Sequence, residues 1–305
     1  MKAMVTGGAG FIGSHLVDSL IKRGDDVIIF DNLYKENPVI NPKARFVKGD
    51  ILNLEFLKKE IKGVEMVWHF AANANMMKGI NETDLDLKNN IIGTYNILEA
   101  MRVNNVKKIV FASSSTVYGE TKVMPTPENH PLQPVSLYGA SKVADEALIS
   151  AFVNMFGFQA WIFRFCNILG SRHSRGVIHD FILKLEKNSK KLYVLGDGNQ
   201  SKSYLLIDET LDAMFLIINK AKGNFNVFNI SNETTTNVKS IAKIVADEMN
   251  ATPQFIFEDK PNGWIGDVPN VLLDIKKAKN LGWKPKLNSA ETVKEIARIL
   301  KKELV

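Results

Sequence analysis

The stretch that decides the fold is Lys2–Leu16, KAMVTGGAGFIGSHL. A short apolar run ends in a glycine-dense turn, and the apolar spacing after the turn predicts an amphipathic helix. Strand, glycine-rich turn and helix form the context of a dinucleotide-binding fingerprint, in which the helix N-terminus faces the phosphates. An ordinary glycine-rich turn is the alternative for this motif alone. The cofactor-binding residues predicted from the stretch are Gly7, Gly10, Phe11, Ile12 and Gly13.

The second predicted strand, Val27–Phe30, ends at the carboxylate of Asp31. Asp31 follows Gly13 at close to the spacing of about 20 residues expected for an acid that binds the adenosine ribose. Its carboxylate would accept hydrogen bonds from both ribose hydroxyls and would repel a 2′-phosphate. The sequence therefore favours NAD over NADP. The alternative is a strand-ending aspartate that only caps a turn.

Length and composition restrict the class of protein. A chain of 305 residues is long enough for one large or two small domains. No apolar run approaches the ~20 residues that cross a bilayer, and the first predicted strand begins at Met1–Lys2, so we expect neither a membrane span nor a signal peptide. The single cysteine, Cys166, excludes an internal disulfide and is typical of the reducing cytoplasm.

The charged and metal-ligating residues point to no special partner. The formal net charge is +6, carried mainly by lysines spread along the chain rather than by a basic stripe between aromatic residues. We therefore expect no nucleic-acid partner. The five histidines are scattered without the spacing of metal ligands, so we expect no metal site.

Alternating strand and helix patterns through the first half predict an α/β fold, a Rossmann-type doubly wound parallel sheet. Beyond about residue 168 the alternation loosens. We assign residues 1–167 to a dinucleotide-binding domain, to which a segment near 202–231 returns. Residues 168–305 are assigned to a smaller mixed α/β domain that binds the substrate.

A cluster of hydroxyl groups and then a tyrosine–lysine pair come next along the chain, and these are residue types that a proton-transfer site needs. Ser113–Thr116 come at the end of a predicted central strand, where open α/β sheets bind ligands. Tyr138 and Lys142 lie one helical turn apart on one helix face. The lysine charge would favour the phenolate, lowering the tyrosine pKa from ~10 towards working pH, and Lys142 could also hold the nicotinamide ribose. Without the other motifs, a tyrosine and a lysine at this spacing are more often a pair on the helix surface than a catalytic pair.

The motifs extend over nearly the whole chain. They are Thr6–His15, Asp31–Leu33, Gly49–Ile51, His69–Ala72, Asn90 with Gly93–Thr94, Ser113–Gly119, Tyr138–Lys142, Arg164–Asn167, Gly196–Gly198 and Gly266–Val268. Together they resemble the extended short-chain dehydrogenase/reductase family, and within it the sugar-nucleotide enzymes that are like UDP-glucose (UDP-galactose) 4-epimerase.

The resemblance implies a role for individual residues. Ser114 would be the catalytic hydroxyl, with Ser113 or Ser115 as alternatives, Tyr138 the base and Lys142 its activator. Asn167 would bind the substrate diphosphate. The remaining cofactor-binding residues implied by the motifs are Asn32, Asp50, Ile51, Ala71, Ala72 and Asn90.

The implied reaction is a transient oxidation of a UDP-sugar at carbon 4, after which hydride returns to the other face of the sugar. Related 4,6-dehydratases and UDP-glucuronate decarboxylases carry a carboxylate where this chain has Ser115–Thr116. Interconversion of UDP-glucose and UDP-galactose is therefore the preferred interpretation of the function. The alternatives are epimerisation of another UDP-sugar, such as an N-acetylhexosamine or a uronic acid, and a non-catalytic NAD-binding protein of the same fold.

Two family motifs depart from their usual form. Lys202–Ser203 stands where the family has Arg before Asp or Glu, and Trp264–Asp267 stands where it has Arg-Pro-Gly-Asp. Lys202 could bind the substrate phosphates as a point charge in place of one arginine. Arg172 or Arg175 could replace the other.

The resemblance also implies a homodimer, in which the predicted helices near 84–104 and 138–156 pair into a four-helix bundle. Candidate interface residues are Ile97, Met101, Leu148 and Phe152. Burial of these side chains within one chain is the alternative.

Overall fold

The computed structural model describes residues 1–35, 37–73, 75–259 and 266–305. Within them the strands are β1 (Lys2–Thr6), β2 (Asp26–Asp31), β3 (Arg45–Lys48), β4 (Met66–His69), β5 (Lys108–Ser114), β6 (Gln159–Phe165), β7 (Asn167–Leu169), β8 (Lys191–Val194), β9 (Ser201–Lys202), β10 (Tyr204–Leu206), β11 (Phe225–Ile230), β12 (Thr236–Asn237), β13 (Gln254–Phe257) and β14 (Asn270–Val271).

The described helices are α1 (Phe11–Lys22), α2 (Leu54–Glu60), α3 (Lys78–Asn81), α4 (Gly93–Val103), α5 (Leu137–Phe156), α6 (Val177–Lys187), α7 (Ile207–Lys220), α8 (Val238–Glu248), α9 (Lys276–Asn280) and α10 (Ser289–Leu304). A π-helical segment, Leu87–Ile92, leads directly into α4, and a 3-10 turn, Ser115–Tyr118, follows β5. None of the described helices combines the length and the apolar character that crossing a bilayer requires.

The chain divides into two compact units. The first comprises Met1–Val117, Leu132–Arg164 and Ile218–Phe228. The second comprises Tyr118–Pro131, Phe165–Ile217 and Asn229–Val305.

A seven-stranded sheet with the order β11-β6-β5-β4-β1-β2-β3 organises the first unit. The neighbours β1 to β5 pair in parallel, and Thr6 at the end of β1 is in register with both Phe30 and His69. The order reverses on either side of β1, which places the switch point of a doubly wound sheet beside the glycine turn. The predicted Rossmann-type fold is confirmed.

The interior strands of this sheet are apolar because helices cover both faces of a parallel sheet. Met4, Ile28, Val67 and Ile109 are almost completely buried in one cluster. Each such side chain contributes about 1.5–3 kcal/mol through removal of its surface from water. The same cluster includes side chains of α4 and α5, so that these two helices are fixed on the sheet.

Three of the four predicted interface residues belong to that core. Ile97 and Met101 are 0% exposed, and Phe152 is buried beside them. Their assignment to a dimer interface is wrong, because their side chains face the sheet. Leu148 is partly buried and packs against the same cluster.

The second unit is built around α6, α8 and α10. Phe181, Ile241, Val245 and Ile296 form the centre of its core. Small sheets flank these helices: β8 pairs with β13, β7 pairs with β10, and β9 lies between β12 and β14. This unit therefore has a core of its own.

The unit boundaries differ from those assigned from the sequence. Tyr118–Pro131 belongs to the second unit, since the Tyr118 hydroxyl donates to Asn229 Oδ1 at 2.7 Å. The backbone N–H of Thr126 also donates to the Leu272 carbonyl at 2.8 Å. The segment that returns to the first unit is Ile218–Phe228, inside the range 202–231.

Candidate active site

The glycine turn after β1 leaves no room for side chains at two of its positions. Gly7 has φ +67°, and a Cβ built on it would lie 2.7 Å from the Ala71 nitrogen. A Cβ on Gly13 would lie 2.1 Å from the Gly7 oxygen. A Cβ on Gly10 would meet one atom within 4 Å, the Gly7 oxygen at 3.2 Å. The space beside Gly10 is therefore open, whereas Gly7 and Gly13 are constrained by backbone.

That open space lies at the start of α1. Gly10 is the N-cap residue and provides no capping side chain, and Phe11 and Ile12 begin the helix in partly exposed positions. The first turn of a helix presents N–H groups that have no acceptor within the helix, together with the positive end of its dipole. A pyrophosphate fits this cradle, and the residues of the turn therefore fit a dinucleotide.

Asp31 holds the glycine turn and still has capacity to bind a ligand. Its Oδ2 accepts from the Ala9 N–H at 3.0 Å and its Oδ1 from the Leu33 N–H at 2.8 Å. A carboxylate has about four acceptor positions, so each oxygen retains one. Turn capping and ribose binding are thus compatible functions of the same residue.

The residues implied for the adenine end differ in accessibility. Asn32 and Asp50 are exposed, and their side chains lie 3.5 Å apart, Nδ2 to Oδ2. Ile51 is instead a core residue at 8% exposure, packed so closely on Gly93 that a Cβ there would lie 2.4 Å from Ile51 Cδ1. Asn32 and Asp50 are therefore accessible to a ligand, whereas the Ile51 side chain is packed in the core.

Asn90, on the π-helical segment, uses its side-chain amide for hydrogen bonds within the protein. Its Oδ1 accepts from the Asn73 N–H at 2.8 Å, and its Nδ2 donates to Ser141 Oγ at 2.8 Å and to Asp86 Oδ1 at 3.2 Å. Asn90 is only 1% exposed. It links the loop after β4 to α5, whereas Ala71 and Ala72 of that loop are partly exposed.

The hydroxyl cluster divides into structural and available members. Ser113 donates to Glu146 Oε1 at 2.5 Å and is buried, together with Arg164, which binds both oxygens of the same carboxylate. Ser114 is half-buried, and its Oγ accepts from the N–H and the hydroxyl of Thr116 at 3.2 and 3.0 Å. Because it accepts these two bonds, Ser114 can direct its own proton to another group. The geometry favours Ser114 over Ser113 as the reactive hydroxyl.

Tyr138 and Lys142 lie in the first two turns of α5. Ser136 caps this helix by accepting from the Gly139 N–H at 3.1 Å. Lys142 is 3% exposed, and its Nζ lies 4.5 Å from the centroid of the Phe111 ring and 5.9 Å from that of Tyr138. The ammonium is therefore held against aromatic faces on the side of α5 that carries the tyrosine.

The pKa of Tyr138 corrects the sequence expectation. It is raised to about 12, chiefly by burial; the hydrogen bond with the Ser114 hydroxyl lowers it, and the charges of Asp86 and Asp145 contribute to the rise. The expected net lowering of this pKa is wrong, because desolvation and two carboxylates set the direction of the shift. Burial also lowers the pKa of Lys142, against the charges of Asp145, Glu146 and Asp86.

The structure adds buried polar residues to which the sequence assigned no role. His69 lies between two threonine hydroxyls, with Nδ1 2.7 Å from Thr6 Oγ1 and Nε2 3.0 Å from Thr94 Oγ1. Asp145 is 0% exposed. Its position three residues after Lys142 on a helix was a signal available in the sequence. Asp86 comes from another element, so no spacing rule would have found it.

The residues expected to bind the substrate phosphates lie in the second unit. Asn167 Nδ2 donates to the Ser203 carbonyl at 3.2 Å. Lys202 Nζ forms an ion pair with the buried Asp267 at 2.5 Å. Arg172 has φ +64° in the loop after β7, and Arg175 is exposed. Trp264 lies outside the described residues.

Comparisons with known proteins extend these observations. The model of the NAD-dependent epimerase/dehydratase family matches residues 3–231. A protein from Methanocaldococcus jannaschii with a provisional UDP-glucose 4-epimerase name is 40% identical over 305 residues, 98% of each chain. The UDP-glucose 4-epimerase of Thermotoga maritima, solved with UDP-glucose, gives a TM-score of 0.91 at 33% identity over 100% of both chains. The UDP-N-acetylglucosamine 4-epimerase from Methanobrevibacter ruminantium, solved with UDP-N-acetylmuramic acid, gives 0.88 at 28% identity over 99% of both.

Proposed function

The chain belongs to the NAD-dependent epimerase/dehydratase family, and we propose that it is a UDP-sugar 4-epimerase that interconverts UDP-glucose and UDP-galactose. Its cofactor is NAD. The observation that carries the proposal is the placement of Ser114, Tyr138 and Lys142 in the unit that also holds the glycine cradle and Asp31. The similarity to UDP-glucose 4-epimerases over the whole chain supports the choice of substrate.

Oxidised NAD, when bound, supplies a hydride acceptor and a positive charge. Tyr138 then takes the proton of the sugar 4-hydroxyl as general base, and returns it after the 4-keto sugar has presented its other face. Ser114 hydrogen-bonds the same sugar oxygen. Lys142 stabilises the phenolate and binds the nicotinamide ribose.

The neighbours of Ser114 support epimerisation rather than dehydration. Ser115 and Thr116 follow it in a 3-10 turn and provide hydroxyl groups where dehydration would need a carboxylic acid. Epimerisation needs no such acid, since the proton of the 4-hydroxyl oxygen and the hydride of carbon 4 leave and then return, and no other bond of the sugar is broken. The net reaction therefore consumes no cofactor.

The substrate diphosphate is proposed to bind Asn167 and Lys202. The Lys202 ammonium is 23% exposed and is paired with Asp267. It can meet a phosphate as a point charge, although it lacks the two-pronged geometry of arginine. The ion pair holds the ammonium in place before substrate binds.

The direct test of the proposed base is Tyr138→Phe, which removes one hydroxyl. We expect loss of epimerisation with NAD binding retained, assayed by chromatography of UDP-sugars and by titration with NAD. Unchanged turnover would remove Tyr138 from the mechanism. A panel that includes UDP-N-acetylglucosamine and UDP-glucuronate would identify the preferred sugar.

We further propose a homodimer that works in the cytoplasm. Support comes from α5, which exposes an apolar stripe of Ala140, Ala147, Ala151 and Met155, the last at 72%. Cys166 is buried and free, so the protein needs no oxidising compartment. Sedimentation analysis should give twice the chain mass, and Ala151→Glu should give a monomer. A wild-type monomer would contradict the proposal.

A further inference from the structure

Asp145 is a buried carboxylate that forms no ion pair within 4.0 Å in the described part of the chain. It is 0% exposed, and the hydroxyl of Thr94 is its hydrogen-bonding neighbour. Burying such a group is costly, so it is uncommon away from functional sites. On α5 it lies one turn after Lys142, on the same side of the helix.

We propose that Asp145 is a positioning residue for the epimerisation, whose negative charge acts on Lys142 and Tyr138 and thereby sets the pH range in which the enzyme works. The inference rests on the proposed function of these two residues. It assigns to Asp145 an electrostatic role and no contact with substrate or cofactor.

The charged and titratable groups around Asp145 come from several elements. On α5 itself they are Tyr138, Lys142 and Glu146. From the packed elements they are Asp86 before the π-helical segment, His69 of β4 and Arg164 of β6. Arg164 is committed to Glu146 through contacts of 3.0 and 2.6 Å, and His69 is neutral because burial lowers its pKa to about 3.

Because Arg164 binds Glu146 and His69 is neutral, the Lys142 ammonium is the cation that faces Asp145. No ion pair within 4.0 Å joins Lys142 to a carboxylate in the described part of the chain, and its ammonium lies 4.5 Å from the centroid of the Phe111 ring. Asp145 raises the pKa of Lys142 and also that of Tyr138. Because a negative charge favours every protonated neighbour, its removal shifts both groups in one direction.

Two limbs of the pH–activity profile should therefore move together. Turnover requires the phenol to lose its proton and the ammonium to keep one, so the pKa of each group contributes one limb of the profile. Without the charge of Asp145, both should lie at lower pH. Burial raises the pKa of Asp145 itself to about 6, so the charge is present only above that pH.

The test compares the wild type with Asp145→Asn, which keeps the shape of the side chain and removes its charge. We expect the kcat profile to shift to lower pH by about one unit, as is typical of one nearby charge, with the two enzymes converging below pH 6. Asp145→Glu should retain the wild-type profile. Asp247→Asn, the same change at a side chain 62% exposed on α8, should shift nothing.

A second measurement does not depend on turnover. The ionisation of the Tyr138 phenol can be followed by ultraviolet absorbance, after subtraction of the matching Tyr138→Phe protein. We expect ionisation at lower pH in Asp145→Asn than in the wild type. Asp145→Ser removes the same charge with a smaller side chain and should reproduce the shift if Asp145→Asn does not fold.

The outcomes are distinguishable. An active wild type whose profile and phenol titration are unchanged in Asp145→Asn or Asp145→Ser would overturn the inference and leave the proposed function intact. An inactive wild type would overturn the proposed function. The phenol titration would then still decide whether Asp145 acts on Tyr138.

Discussion

The ion pair between Arg164 and Glu146 allows the most quantitative prediction. Both residues are 5% exposed, and Arg164 reaches both carboxylate oxygens, at 3.0 and 2.6 Å. Arg164→Met keeps an unbranched apolar side chain, removes the guanidinium and leaves Glu146 with the Ser113 hydroxyl as its other described partner. Removing one member of a buried pair costs about 3–5 kcal/mol, because the remaining charge stays desolvated. We expect that loss in the free energy of unfolding.

Urea unfolding at neutral pH, followed by tryptophan fluorescence and by circular dichroism, measures the change. The double variant Glu146→Met/Arg164→Met should recover most of the lost stability, since replacing both partners by apolar residues is often nearly neutral. Arg298→Met is the matched control: its pair with Glu248 is 51% exposed on the arginine side and should cost under about 1 kcal/mol. A loss below about 1 kcal/mol in Arg164→Met, or a double variant as unstable as the single one, would refute the reasoning.

Three further predictions follow from the first unit. Burial lowers the pKa of His69 from 6.5, its value in the unfolded chain, to about 3 in the folded chain. Between pH 3 and pH 6.5 the unfolded state therefore binds more protons than the folded state. Stability should therefore fall as the pH falls, by about 2 kcal/mol from pH 6.5 to 5, and His69→Gln should flatten this dependence in urea titrations. Gly13→Ala should reduce both thermal stability and NAD binding, because its Cβ would lie 2.1 Å from the Gly7 oxygen. Gly10→Ala should fold normally and lose only NAD affinity, because its Cβ lies 3.2 Å from the same oxygen. Equal unfolding temperatures for the two variants would be inconsistent with this difference. Asp31→Asn should bring the dissociation constants for NAD and NADP closer together, since the charge that repels a 2′-phosphate is lost. An unchanged ratio of the two constants would mean that Asp31 only caps the turn.

The fold class and the family were predictable because their signals are local in the sequence. The glycines after β1 need no partner to be recognised, since their spacing alone reports a tight turn and a close helix. Asp31 follows from the position at which an apolar strand ends. Both the Rossmann-type sheet and the family membership are confirmed, while the roles of the individual site residues remain predictions.

The errors concern properties that depend on residues from distant elements. The pKa of Tyr138 is raised because the phenol is desolvated and because Asp86 reaches it from another element, neither of which helical spacing reveals. Ile97 and Met101 are predicted at a dimer interface, yet both are completely buried within one chain. The regular helix predicted over 84–104 is interrupted by the π-helical turn Leu87–Ile92, which contains Asn90.

The central claim is that this chain is an epimerase that regenerates its own NAD. The most direct measurement incubates the purified protein with UDP-galactose, without added cofactor, and separates the sugar nucleotides by chromatography. We expect UDP-glucose to appear, and we expect Tyr138→Phe, prepared in parallel, to form none. No conversion by the wild type, even with added NAD, would contradict the account.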